Sequence, residues 1–210
     1  MSDKELDTGQ EHPMARRLRN FLDSLHVLIF REKGFGALLS MSGPKVAVIA
    51  FLVCVGFQSL PTSGEEVALY GNLYVFYAVK FVIALGLIYG VMRLLGSMTS
   101  IRQFVSTSAI TYTYAMVVTT LLAYASILLF DQILNLTVIA GVITSFIPYY
   151  TSVLFGWCCE NISGVSGKWK PVVVGLFSIT VLLAYILYVD PLLCSAGIMD
   201  VFGISSVLCG

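Results

Sequence analysis

The stretch YVFYAVKFVIALGLIYG, residues 74–90, leaves a chain few choices. Some 20 apolar residues in a row is the length that crosses a hydrocarbon layer ~30 Å thick. The sequence holds five such runs, approximately Pro44–Leu60, Leu69–Met92, Phe104–Phe130, Ile133–Trp157 and Pro171–Val189. A backbone surrounded by hydrocarbon must satisfy its own hydrogen bonds, so each run is expected to be a helix. Only 11% of the 210 residues are charged, against about 25% in soluble domains. The expected fold is an all-α integral membrane protein, a bundle of five transmembrane helices.

The cations set its orientation. Lys4, Arg16, Arg17, Arg19, Arg31, Lys33 and Lys45 precede the first run. Arg93 and Arg102 flank the second-to-third connection, and Lys168 and Lys170 the fourth-to-fifth. The alternate connections carry only Glu65, Glu66 and Asp131, and the C-terminal segment Asp190 and Asp200. Lys and Arg accumulate in cytoplasmic connections. The N-terminus is therefore expected inside and the C-terminus outside. The first apolar run begins near residue 45, behind a charged segment, which is not the layout of a secretory leader. A net charge of zero gives no reason to expect a nucleic-acid partner.

Four segments follow. Residues 1–13 are polar with no apolar period and read as a disordered tail. Within 14–43, Met14, Leu18, Phe21, Leu22, Leu25, Leu28 and Ile29 recur at helical spacing opposite Arg16, Arg17, Arg19, Asn20, Asp23 and Ser24. That pattern predicts an amphipathic helix lying in the interface, or packed on the protein's own cytoplasmic face. Gly34, Gly36 and Gly43 should end it in a linker. Residues 44–190 hold the five spans. Residues 191–210 are apolar but interrupted by Gly197, Asp200 and Gly203; they read as an external segment on the membrane surface, with a sixth span as the alternative.

Lys80 is the one cation outside the topological scheme. It lies about 16 Å along its run, near the middle of the membrane, where a cation costs roughly 2.5–3.5 kcal/mol. No run contains Asp or Glu internally, so a buried ion pair is not expected. The same depth in other runs falls at Thr119, Thr120, Thr144, Ser145, Ser178 and Thr180, which suggests a midplane polar site of hydroxyls around Lys80. The plainer reading has the lysine snorkelling along its stem and the hydroxyls bonding their own helices.

Cys194 and Cys209 share the external segment, where oxidation is permitted. A disulfide between them would close a loop of about 15 residues and constrain it by ~3 kcal/mol; two free thiols are the alternative. Cys158 and Cys159 read as packing residues or as acylation sites. Trp157 and Trp169, and Tyr70, Tyr74 and Tyr188, fall where interfacial aromatic belts lie. Gly86 and Gly90 form a G-x-x-x-G, and Ala115, Thr119 and Ala123 a small-residue seam, both helix-packing signals. No nucleophile–base pair, cofactor motif or metal-ligand spacing is present, and a non-enzymatic protein is expected.

The layout, with the turn GSMTSIRQFVSTSAITYTYAM at Gly96–Met116, resembles the Yip-domain family, named for interaction with Ypt/Rab GTPases. The resemblance covers roughly residues 30–190. It implies a role in membrane organisation or trafficking for eukaryotic members and a largely undefined membrane role for prokaryotic ones. The small-residue seams, the interfacial basic helix and the lack of catalytic groups predict a protein that acts by lateral contacts with lipid, a membrane-protein partner or a second copy. The Asp-Leu-Tyr-Gly-Pro segment of eukaryotic members is absent, and the Leu-Tyr-Gly at Leu69–Gly71 lies on the opposite side. A prokaryotic-type member in the inner membrane is thus expected, a eukaryotic endomembrane being the alternative. The competing function is a small transporter or permease built around Lys80.

Overall fold

The computed structural model describes residues 13–41, 43–59 and 70–209, and these are helical throughout, with short connections. Residues 1–12 and 60–69, including His12, Glu65 and Glu66, lie outside the described residues. Helix α1 (Pro13–Ser24) passes into a 3-10 turn at Leu25–Ile29, followed by α2 (Glu32–Met41) and α3 (Pro44–Gln58). Then come α4 (Tyr70–Leu94), α5 (Ile101–Ser126, continued by a π-helical segment to Ile133), α6 (Thr137–Ile162) and α7 (Lys170–Leu187). The C-terminal segment forms three short helices, α8 (Val189–Ser195), α9 (Ile198–Val201) and α10 (Ser205–Leu208).

Four of these are long and apolar enough to cross a membrane: α4, α5 extended to Phe130, α6 and α7. The first of the five expected spans falls short. Helix α3 has 15 residues, about 22 Å at 1.5 Å per residue. Only together with α2, from which it is bent by 111°, does it pass the same test. The bend lies between Met41 and Pro44, and the proline occupies the first turn of α3, where its missing N–H costs the helix nothing. The run through Pro148 stays helical from Thr137 to Ile162.

Residues 32–41 are a helix where the glycines suggested a linker. Gly34 serves close packing: a β-carbon built there would lie 2.2 Å from the Val27 backbone nitrogen. Helix α2 therefore folds back tightly on the turn before it, and an Asp23–Lys33 ion pair at 2.8 Å ties the hairpin. Helix α1 keeps its apolar face open, with Met14, Leu18, Phe21 and Leu22 all exposed. The turn below it docks on the bundle, where the Tyr150 hydroxyl donates to the Leu28 carbonyl. Ser24 shares a 2.9 Å hydrogen bond with the Tyr114 hydroxyl.

One core joins α3 to α7. Phe81 is fully buried at its centre, its ring 5.3 Å from Tyr112, 5.9 Å from Phe51 and 6.2 Å from Tyr185. Helices α6 and α7 approach most closely. A β-carbon on Gly156 would meet the Gly175 carbonyl oxygen at 2.7 Å and Ile179 Cγ1 at 2.3 Å. Neither glycine belongs to the expected packing signals. Those signals divide: Ala115 and Thr119 are buried and Ala123 half-buried, whereas Gly86 and Gly90 lie on an open face with nothing within 4 Å of a built β-carbon.

At the end holding Arg93, Arg102, Lys168 and Lys170, side chains stitch the connections together. The Ser97 hydroxyl donates to the Ser163 carbonyl and the Thr99 hydroxyl to that of Ile162. Arg93 donates to the Tyr89 hydroxyl at 2.8 Å and to the Ser97 carbonyl at 2.9 Å. Cys158 and Cys159 are buried in the core nearby. Packing is thus their role here, since an acylated thiol would have to be exposed.

Candidate functional site

Helix α4 is longer than α7, with 25 residues against 18. Its first turns consequently extend past the end of α7, and the C-terminal segment fills the space beside them. Met199 and Ile204 are fully buried in a small cluster with Leu73 and Phe76. The Phe202 ring lies 5.4 Å from that of Phe76. The sulfurs of Cys194 and Cys209 stand at bonding distance, 2.10 Å, which closes this segment into a ring. Its helices of seven, four and four residues are each too short to cross a membrane.

Lys80 sits at the foot of this segment and is paired. Its ammonium donates to Asp190 Oδ1 at 2.6 Å. The lysine side chain is 6% exposed and that of Asp190 26%. The sequence argued against such a pair because no span contains an acid internally. Asp190, however, follows α7 by only three residues, and helical side chains lean toward the helix N-terminus. The lysine stem therefore climbs from mid-helix to the level where α7 ends. There the ammonium lies 4.4 Å from the ring centre of Tyr185, 5.3 Å from Tyr77 and 5.8 Å from Phe76. A cation over ring faces at these distances is attracted by their quadrupoles. The carboxylate and three rings together replace the water the charge has lost.

The expected hydroxyl layer does not gather around it. Thr119 donates to the Ala115 carbonyl at 2.7 Å, and Thr144 to those of Ala140 and Gly141 at 3.0 Å. Ser145 donates to Gly141 at 2.7 Å, Ser178 to Val174 at 2.7 Å and Thr180 to Leu176 at 3.0 Å. Each bonds a carbonyl of its own helix, the usual resolution for hydroxyls without polar neighbours. Thr120 is half-buried on α5 beside Thr119. The hydroxyls of Ser106, Thr107, Thr151 and Ser152 are buried without a partner among the described residues. They belong to α5 and α6, away from the lysine's surroundings.

What Lys80 borders is an apolar cleft of about 490 Å³ between α4 and α7. Helix α4 contributes Phe76, Val79, Ile83 and Leu87, α7 contributes Val181 and Ala184, and the C-terminal ring closes one end through Leu193 and Phe202. The volume lies within the ~300–1,000 Å³ range of small-molecule sites. Lys80 is the only charged residue in the lining. Val79, Ile83 and Leu87 are exposed along the rim, so the cleft opens sideways from the bundle. Sequence reasoning found Lys80 but missed the cleft. Its signal is the pairing of an apolar α4 face with small Ala184, and that is visible only once the two helices are placed side by side. No family model, curated protein or solved structure matches the chain.

Proposed function

We propose that this is a non-enzymatic integral membrane protein that holds part of a lipid in the lateral cleft between α4 and α7. The observation that carries the reading is the cleft itself: apolar, open at its side, and large enough for an acyl chain. The hydroxyls that would line a polar route are bonded within their own helices, which favours lipid contact over solute passage. In this reading α3 makes a short fifth crossing, and α2, bent 111° from it, stays at its basic end. A β-carbon built on Gly56 would lie 4.0 Å from the Tyr70 hydroxyl, which supports α3 reaching the level where α4 begins. The N-terminus is cytoplasmic and the C-terminus external. In support, the basic connections lie at one end and the Cys194–Cys209 bond at the other, and disulfides persist on the oxidising side of a membrane. This lateral mode of action is the one expected from the sequence, to which the resemblance to Yip-domain proteins would add a role in membrane organisation or trafficking. We extend it to a prokaryotic-type member in the inner membrane.

Filling the cleft tests the proposal. Ala184→Phe, purified in detergent and analysed by native mass spectrometry, is expected to lose bound lipid while keeping the thermal stability of the parent. Undiminished lipid in that variant, together with solute flux in proteoliposomes that Lys80→Met abolishes, would instead establish a transporter.

A further inference from the structure

Lys80 carries a chemistry that an acyl chain does not need, since an apolar cleft would hold a chain without any charge. The ammonium occupies the one charged position in the lining, level with the end of α7, where a membrane span gives way to headgroups. From there Ile83, Ala84, Leu87 and Val181 continue along the cleft toward the basic end of the bundle. A lipid entering sideways past Val79 and Ile83 would set one chain along that course and its phosphate beside Lys80, without leaving the bilayer.

The anion position is already filled, by Asp190. The two partners differ in how firmly they are held. The ammonium is caged by Tyr185, Tyr77 and Phe76, and its side chain is 6% exposed. The carboxylate is 26% exposed and stands on the first turn of a short helix. We propose, building on the cleft reading above, that Lys80 is the headgroup site for an anionic phospholipid of the surrounding bilayer, and that Asp190 is an internal anion which the lipid phosphate displaces. Exchange leaves the ammonium paired throughout and returns the carboxylate to water. No bond is made or broken beyond the ion pair. A zwitterionic headgroup fits less well, because its ammonium would need Asp190 as partner while its phosphate takes Asp190's place.

The two substitutions at the pair should act in opposite directions. The full chain is purified in neutral detergent with phosphatidylglycerol, phosphatidylcholine and oleate present in equal amounts, and retained ligand is counted by native mass spectrometry. Phosphatidylglycerol is expected to exceed phosphatidylcholine about tenfold, the ratio that one charge-assisted contact supplies. Asp190→Asn is expected to raise phosphatidylglycerol retention severalfold and leave phosphatidylcholine unchanged. Lys80→Met is expected to abolish the preference, and Lys80→Arg, which keeps the cation, to retain it. Equal retention of the two phospholipids, or a fall in Asp190→Asn, would overturn the assignment. Oleate displacing phosphatidylglycerol would also overturn it, in favour of a free fatty acid. Ala184→Phe separates the two layers of the argument. If it removes both phospholipids while their ratio in the parent is unity, the cleft stands and the headgroup assignment falls. If it removes neither, the cleft reading falls as well.

Discussion

Helix α7 meets its two neighbours in opposite ways. Against α6, Gly156 and Gly175 bring backbone to backbone, leaving no room for one added carbon. Against α4, a cavity lies between the helices, lined by Phe76, Val79, Ile83 and Leu87 on one side and Val181 and Ala184 on the other. In hydrocarbon no solvent penalty drives helices together, so packing contacts decide which pairs seal. The difference shows that a glycine matters through what stands opposite it. Gly86 and Gly90, spaced as a packing motif, have nothing opposite; Gly156 and Gly175, on separate helices, have each other.

The contrast breaks most sharply at the sealed face. Gly156→Leu should cost about 3 kcal/mol or more by overpacking, read as loss of monodisperse protein or a steep fall in Tm. Gly86→Leu, on the open face, should stay within about 0.5 kcal/mol. On the α4 side, the next largest effect should come from the ring that caps the cleft. Cys194→Ser removes the bond closing a loop of 15 residues, worth ~3 kcal/mol to the order of that segment in the chain-entropy model. Amide exchange across residues 198–208 should rise, while that in α6 and α7 stays at its parental rate.

The ion pair sharpens the comparison further. Asp190→Ala strands a buried ammonium and should cost about 2 kcal/mol, less than the ~3–5 kcal/mol of a wholly buried pair because the carboxylate is partly exposed. Lys80→Met leaves only a carboxylate that water can reach, and should cost less than Asp190→Ala in the same thermal melt. The smallest effect lies outside both faces, at the α1–α2 hairpin. The Lys33 hydrogen bond lowers the pKa of the Asp23 carboxyl. A carboxyl titrating lower in the folded state stabilises fully above its unfolded value, ~3.9, and that contribution fades as pH falls through the folded value. Amide protection in 13–41 should therefore be flat from pH 7 to about 5 and drop as pH falls below the unfolded value, ~3.9. The drop should be slight, because the pair is exposed and screened.

The sequence made the long helices legible because length and apolarity are local properties. The run Leu69–Met92 became α4 at Tyr70–Leu94, and Pro171–Val189 became α7 at Lys170–Leu187. The hairpin between α5 and α6 was read less well: Ile133–Trp157 became Thr137–Ile162. There the π-helical segment carries α5 on to Ile133, and Asn135 turns the chain with a positive φ of 53°. Apolarity does not mark where one helix hands over to the next. The partner of Lys80 stayed hidden for a different reason. It lies 110 residues away and just beyond a span, where an acid reads as part of the external segment. Following the stem in its natural direction, toward the start of α4, would have led to the acids past the outer ends, of which Asp190 is the first after α7.

One turn of helix separates Asp190 from Cys194, so the covalent ring and the carboxylate move as one mechanical body. The ring is in effect a lever with its short arm on the lysine: a tilt of the C-terminal cap changes the distance between two charges. The segment that closes the apolar cleft thereby acquires a grip on the cation at its mouth.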